Sequence, residues 1–498
     1  MIKTMPTTRQ PPTIPTSHEV VDLPSLKHIR KLDSGIAVAV LATIIAFVAG
    51  ISSASLPIQF ISFATIIALG LTLNDRQLLY SAAILICTLG FVRRLMAGDL
   101  GRIESDPMAL LPLVFAIVVI TRTFLQTRPT DKRTLTETIC YVMAVLTSVT
   151  YLVNLNVSLS AIYASGLAVA TWILIGLIAS GRIPDVWPLI YKSFPYLGVA
   201  IGSYGIIQFF FLPYWDRAWM IASKLNSIGA PLPEQVRVFG TTESPGPFAI
   251  VLGLCLIITL ERAISEKAGT RLVMAAIALL LLIPLALTAV RTGLLGIVLA
   301  GIFMSVRCLS GLKRLIPLIA SVLIYFVLTI AVELFSRKSS VITEGRFSEF
   351  DPSNDNSLQA RLKLLADIPQ YFSNPLGQGV SVDDSGQSGS LDNAFIDILA
   401  RNGPLVALLL VALTCVVLRA CWNIAPVRGH ETAVAACCIY LAFFMIAGNI
   451  FASGSGLIAA ITFGTVLRYT RSEPLMLKPL SRTTQDSPET NLAKPTRR

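Results

Sequence analysis

Long apolar runs alternate with short polar segments over most of the chain, from residue 35 to residue 470. Runs such as LDSGIAVAVLATIIAFVAG approach the roughly 20 residues that a helix needs to cross about 30 Å of hydrocarbon. The runs do not alternate apolar with polar positions, as the strands of a membrane barrel do. The pattern therefore predicts an all-α, polytopic transmembrane helical bundle of about 12–14 spans. The fourteen runs cover approximately 35–53, 57–73, 77–95, 107–122, 134–153, 158–180, 187–212, 245–262, 271–290, 292–307, 314–335, 404–421, 431–450 and 454–470.

Two long polar segments, 213–244 and 336–403, interrupt the predicted bundle. Bundle connections are usually short, so a long segment indicates function or a small domain, with a passive flexible connector as the alternative. In the second segment, leucines at helical spacing predict an amphipathic helix over 357–368, which Pro369 would end. A further amphipathic stretch, LDNAFIDILARNGPL, runs into the next span.

The distribution of Lys and Arg predicts how the bundle is oriented. The Pro/Thr-rich segment 1–34 is expected to be a disordered cytoplasmic tail, and 471–498 a basic cytoplasmic tail. With both termini inside, the short loops follow the positive-inside rule. The short cytoplasmic loops carry Lys and Arg, whereas the outer loops at 54–56, 154–157 and 451–453 carry none. One outer segment breaks the rule, because it carries Arg93, Arg94 and Arg102.

Composition narrows the class of protein further. The chain is 54% hydrophobic and 14% charged, with a mean hydropathy of +0.70, whereas soluble domains carry about 25% charged residues. A soluble enzyme is therefore excluded. The net charge is +11, and the basic residues lie mostly in short loops and tails between apolar runs. We therefore expect no nucleic-acid partner. The chain has three histidines, none of them spaced to bind a metal from one helix face, and no CxxC pair. We therefore expect neither a metal site nor another cofactor.

Two arginines are candidate anion ligands. Arg291 precedes a Thr-Gly pair at the start of a predicted span, where a guanidinium and a helix N-terminus together suit a phosphate. The alternative is an arginine that extends to the membrane surface. Arg361 lies in the predicted amphipathic helix, where a plain surface cation is the alternative.

Carboxylates and further arginines occur in the two long segments. RVFGTTESPGPFAIVLG contains Arg237 and Glu243 at the border of a span, where Glu243 is either a general base or an exposed loop carboxylate. LDNAFIDILARNGPL contains Asp392 and Arg401. Arg401 either binds an anion or pairs with Asp397 four residues before it.

These candidates share the outer side of the membrane in the predicted orientation. Arginines beside a bilayer can hold a diphosphate and neutralise it as a leaving group, while a carboxylate can accept a proton from a sugar hydroxyl. The set comprises Arg237, Arg291, Arg361 and Arg401 as diphosphate ligands and Glu243 and Asp392 as catalytic candidates.

Three elements of the chain resemble the O-antigen ligase and O-antigen polymerase superfamily. They are RVFGTTESPGPFA before a span, VRTGLLG opening a later span, and the segment 357–406 with SLQAR, NPLGQG and LDNAFIDILARNGPLV. With the hydropathy profile, the match covers most of 134–470. The resemblance implies a metal-independent glycosyltransferase of the bacterial inner membrane that uses undecaprenyl-diphosphate-linked glycans at the periplasmic face. Arg291 and Arg361 would contact the diphosphate, and a chain-length-regulating co-polymerase is a plausible partner.

One departure from the superfamily pattern favours a polymerase. Asp392-Asn393 stands where ligases usually have His-Asn, and this segment contains no histidine. The base is then Glu243 or Asp392, with Glu243 ahead because an acid at that place resembles the polymerase pattern. The alternatives are a ligase that transfers glycan to lipid A core and a multi-span transporter or flippase. A transporter would need charged groups at mid-membrane and broken helices.

Overall fold

The computed structural model describes residues 56–98, 106–126, 134–154, 159–223, 228–308, 365–366, 368–379, 391, 393–424, 429–451 and 454–472. These residues form helices, one short 3-10 helix at Pro107–Leu110, and an isolated antiparallel bridge between Gly229 and Val236. The helices are α1 Leu56–Thr72, α2 Asp75–Ala97, α3 Leu111–Gln126, α4 Leu135–Asn154, α5 Leu159–Ala179, α6 Trp187–Phe211, α7 Tyr214–Ser223, α8 Pro245–Ser265, α9 Ala268–Leu287, α10 Arg291–Cys308, α11 Ile368–Phe372, α12 Ala394–Asn423, α13 His430–Phe444 and α14 Ser455–Ser472.

The predicted fold class is confirmed. Among the described residues, eight helical stretches are long and apolar enough to cross a membrane, so the chain is an all-α, multi-pass membrane protein. Two shorter apolar helices accompany them, at Phe60–Thr72 and His430–Phe444. The predicted runs 35–53 and 314–335 and the predicted tail 1–34 lie outside the described residues, as does the predicted tail 471–498 from residue 473 onward.

Polar residues mark where the helices begin and bend. Asn74 and Gln77 form a reciprocal capping box at the start of α2, which satisfies two backbone donors that the first turn leaves free. The Asn393 side chain accepts from the first amides of α12 in the same way. α12 then kinks at Gly403, whose φ of 81° suits glycine because it has no Cβ.

Small residues let the central helices approach closely. Tyr440 of α13 donates its hydroxyl to the Ala249 carbonyl of α8 at 2.7 Å. A Cβ placed on Gly253 of α8 or Gly296 of α10 would overlap the Tyr440 ring. Glycines at helix contacts are typical of membrane bundles, because close backbones gain van der Waals contact where lipid offers no hydrophobic drive.

The structure differs from the sequence prediction at three elements. The segment 213–244 contains an additional helix, α7. The last long span is longer than its apolar run, because α12 begins at Ala394 and continues through the amphipathic stretch. Pro369, which was expected to end a helix, lies in the first turn of α11, where its missing N–H needs no partner. Most of the predicted helix 357–368 lies outside the described residues.

Candidate functional site

Residues 228–244 form a folded loop at one end of the bundle. We call that end of the bundle the loop end. Hydrogen bonds from Arg237 N to Ile228 O at 2.8 Å and from Ala230 N to Gln235 O at 3.1 Å close its first part into a hairpin-like turn. Val238 and Phe239 are fully buried. The described part of the segment is therefore folded and packed on the bundle.

A buried ion pair lies beneath this loop. Arg94, near the end of α2, pairs with Asp216 of α7 at 2.6 Å, and both side chains are 0% exposed. The same guanidinium donates to the carbonyls of Gly240 and Thr242 and lies over the Phe239 ring, 4.8 Å from its centroid. One side chain thus fixes the loop backbone at two points.

The remaining groups around Asp216 extend this network to α6. Tyr204 Oη and Gln208 Nε2 donate to Asp216 at 2.7 and 2.8 Å. Gln208 Oε1 in turn accepts from the backbone amides of Phe239 and Gly240. Because buried charge is tolerated only when it is paired and hydrogen-bonded, these contacts specify one conformation of the loop.

The loop also lies directly on α2. Phe91 N donates to Thr241 O at 2.8 Å, and the Thr241 hydroxyl donates to Cys87 O. A Cβ on Gly90 would overlap the backbone of Thr242. Glycine is therefore required at position 90 for this approach.

Glu243, the leading catalytic candidate, lies at the tip of this loop. Its side chain is 48% exposed and pairs with the Arg93 guanidinium, which also pairs with Asp106. Ser244 follows at the N-cap position of α8, whose first residue is Pro245. The arrangement leaves the Glu243 carboxylate about half exposed, directly before the start of a span.

Of the predicted diphosphate ligands, Arg237 belongs to this loop, and Arg291 follows a turn that is hydrogen-bonded to it. Arg237 donates to Thr288 O at 3.2 Å and to Ala289 O at 3.4 Å, and Val238 N donates to Leu287 O at 3.0 Å. Arg291 is half-buried and begins α10 directly after this turn. Loop 228–244 and the α9–α10 turn are therefore joined by backbone and side-chain bonds.

Arg401 belongs to a second cluster, at the start of α12. It pairs with buried Asp397 at 2.9 Å, and Asp397 also accepts from Asn449. The backbone of the NPLGQG motif pairs with this turn, since Gln378 N donates to Ala400 O and Gly379 N to Arg401 O. These contacts agree with the alternative in which Arg401 and Asp397 form a structural bridge.

The other two candidates, Arg361 and Asp392, lie outside the described residues. Sequence reasoning missed the residues that hold the loop, namely Arg93, Arg94, Asp106 and Asp216. A signal for two of them was present, because Arg93 and Arg94 broke the positive-inside pattern. Both pair with acidic residues in the structure, and the orientation of the bundle stays a prediction.

The fold and this site define a multi-pass membrane protein with an ordered loop that holds an acidic residue and arginines at one end of its helices. No protein-family model matches the chain, and a search of curated proteins finds no match. The superfamily resemblance therefore stays a prediction.

Proposed function

We propose that this protein is a membrane glycosyltransferase that polymerises undecaprenyl-diphosphate-linked oligosaccharide units, as in O-antigen, capsule or exopolysaccharide synthesis. It would act at the periplasmic face of a bacterial inner membrane and use no metal. The observation that carries the proposal is the loop tip, where half-exposed Glu243 is held in a loop that bonds to the turn before Arg291.

The proposed reaction needs a base and a stabilised leaving group. The acceptor sugar hydroxyl attacks the anomeric carbon of the donor, and the bond from that carbon to the diphosphate oxygen breaks. Glu243 takes the hydroxyl proton, and Arg237 and Arg291 neutralise the charge on the departing lipid diphosphate. Arg361 and Asp392 remain further candidates for the diphosphate and the base, and we assign Arg401 a structural part.

The positions of the described charges support an enzyme over a transporter. The ion pairs of the described residues lie near helix ends: Arg93, Arg94 and Arg401 at or near the loop end, and Arg182 with Glu137 at the opposite end. Transporters typically place charged groups near mid-membrane. The kink of α12 at Gly403 does not by itself separate the two classes.

The test is complementation of a gene deletion in the native host, with surface and lipid-linked glycans resolved by size. We expect the deletion to accumulate single repeat units on the lipid carrier. Wild type should restore long polymer, and Glu243→Gln and Arg291→Ala should not. Arg217→Gln, at an exposed arginine of α7, is the matched control and should restore it.

Other glycan patterns would reject the proposal. Full-length polymer that stays on the lipid, with none on lipid A core, would identify a ligase. Unchanged lipid-linked glycans would favour a transporter or another function.

A further inference from the structure

Arg93 is held between two carboxylates at the loop end. Its Nε donates to Asp106 Oδ2, and its NH1 group donates to Glu243 Oε1. The guanidinium carbon lies 5.8 Å from the centroid of the Trp219 ring. The Arg93 guanidinium thus contacts the Asp106 carboxylate through Nε and the Glu243 carboxylate through NH1, and the Trp219 ring lies near it. Such a guanidinium is committed to its carboxylates and is a poor ligand for a substrate phosphate.

Asp106 is itself fixed by the backbone. Its Oδ1 accepts from Met108 N at 2.9 Å and caps the short helix Pro107–Leu110. The cap orients the carboxylate, so that Oδ2 faces Arg93. A fixed Asp106 in turn leaves Arg93 little rotational freedom.

Side-chain exposure increases from Asp106 through Arg93 to Glu243 at the tip of the loop. The side chains of Asp106, Arg93 and Glu243 are 9%, 14% and 48% exposed. An ion pair with a half-exposed partner contributes little to folding, because water screens it. Its main effect is to restrict where the Glu243 carboxylate lies.

We propose that Arg93, oriented by Asp106, is the positioning residue that holds the Glu243 carboxylate for proton transfer. The proposal rests on the proposed function, in which Glu243 is the base. A general base must lie within hydrogen-bond reach of the proton it takes, and a displacement of about 1 Å can lower a rate about 100-fold. Loss of Arg93 should therefore slow turnover while donor binding is retained.

The experiment measures chain elongation in membranes that contain the full-length protein. The substrate is the lipid-linked oligosaccharide extracted from the deletion strain, and rates are normalised to the amount of protein in the membrane. We expect turnover to fall about 100-fold or more in Glu243→Gln and about 10- to 100-fold in Arg93→Gln, each with nearly unchanged KM. Arg217→Gln is the control and should retain wild-type turnover.

A double-mutant cycle separates positioning from a purely structural effect. Glu243→Asp keeps an acid but shortens its reach to Arg93, so Arg93→Gln should have little further effect in that background. An equal fold-loss in both backgrounds, or wild-type turnover of Arg93→Gln, would overturn the proposal.

A third variant covers the case in which Arg93→Gln does not accumulate. Asp106→Asn keeps the capping oxygen but removes the charge that orients Arg93, and it should lower turnover several-fold at normal abundance. Wild-type turnover of Asp106→Asn would then overturn the proposal.

Failure of the proposed function would look different. If the deletion strain accumulates no lipid-linked units, both proposals fall together. If it does, and Glu243→Gln restores polymer, the assignment of Glu243 as base fails and Arg93 has nothing to position. If Glu243→Gln is inactive while Arg93→Gln is fully active, only the present inference fails.

Discussion

Arg93 and Arg94 are neighbours in α2, yet their side chains have different surroundings. Successive helix positions are about 100° apart, so Arg94 reaches Asp216 beneath the loop while Arg93 reaches Glu243 at its edge. A partly exposed ion pair is worth about 0–1 kcal/mol, whereas removing one partner of a buried pair costs about 3–5 kcal/mol. Arg94 should therefore matter mainly for folding, whereas the pair of Arg93 with half-exposed Glu243 should matter mainly for chemistry.

The first prediction concerns the buried pair. Arg94→Gln should lower the free energy of unfolding by about 3–5 kcal/mol, because Asp216 stays buried without its cation. Thermal unfolding in detergent and abundance in the membrane measure this. The double variant Arg94→Leu with Asp216→Leu should recover part of the loss, since it leaves no buried charge unpaired. A melting temperature of Arg94→Gln equal to that of wild type would contradict the argument.

At the residue scale, the sequence indicated candidates but not their partners. Glu243 and Arg237 could be selected because they adjoin a span within a long polar segment. The Arg93–Glu243 pair joins positions 150 residues apart, and no local spacing predicts such a contact. The i,i+4 pair of Asp397 and Arg401 was foreseen as an alternative, since helical periodicity places the two on one face.

At the scale of elements, the central feature is a loop packed on a helix. α2 offers a flat surface at Gly90, and Thr241 and Thr242 lie against it through backbone contacts. Because the obstacle to a larger side chain is backbone rather than a flexible side chain, it cannot be relieved by a change of rotamer. The loop would have to move instead, and Glu243 with it.

The second prediction follows from this contact. Gly90→Ala should displace the loop, and Glu243 with it, while membrane insertion is retained. Because a displacement of about 1 Å can lower a rate about 100-fold, polymer formation should fall about 100-fold. Gly269→Ala is the matched control, because a Cβ there meets nothing within 4 Å and alanine favours a helix. Glycan size and protein abundance are the two measurements. Equal polymer from both variants would show that the loop tolerates the shift.

The elements themselves could be predicted unevenly from the sequence. Apolar runs marked the long helices well, because hydrocarbon requires a continuous apolar stretch with its backbone bonded internally. The short helix α7 was missed, since Asp216 and Arg217 break its hydrophobic pattern. The start of α12 was foreseen only as an amphipathic stretch, and α12 kinks at Gly403 directly before Pro404, because a proline disfavours helical backbone at the preceding residue.

At the scale of the whole molecule, polar bonds are gathered at the two ends of the bundle. Far from the loop end, Tyr469 Oη donates to Asp185 at 2.7 Å and Trp187 Nε1 to His430 O at 2.7 Å. Between the ends lies a continuous apolar core. This separation is what a bilayer requires, because polar groups are satisfied at the interfaces and excluded from the hydrocarbon.

The last prediction concerns which end faces the periplasm. The positive-inside rule places the loop end outside, and the proposed chemistry requires this because its donor is presented at the periplasmic face. Exposed Arg217 of α7 and exposed Lys267 before α9 lie near opposite ends. In spheroplasts, a membrane-impermeant maleimide should label Arg217→Cys at once and Lys267→Cys only after the membrane is ruptured. The unsubstituted protein, with its native cysteines, gives the background. Reversed labelling would place Glu243 on the cytoplasmic side and remove the basis for a periplasmic polymerase. The expected labelling would put loop 228–244 on the periplasmic side, where the proposed reaction joins the lipid-linked units.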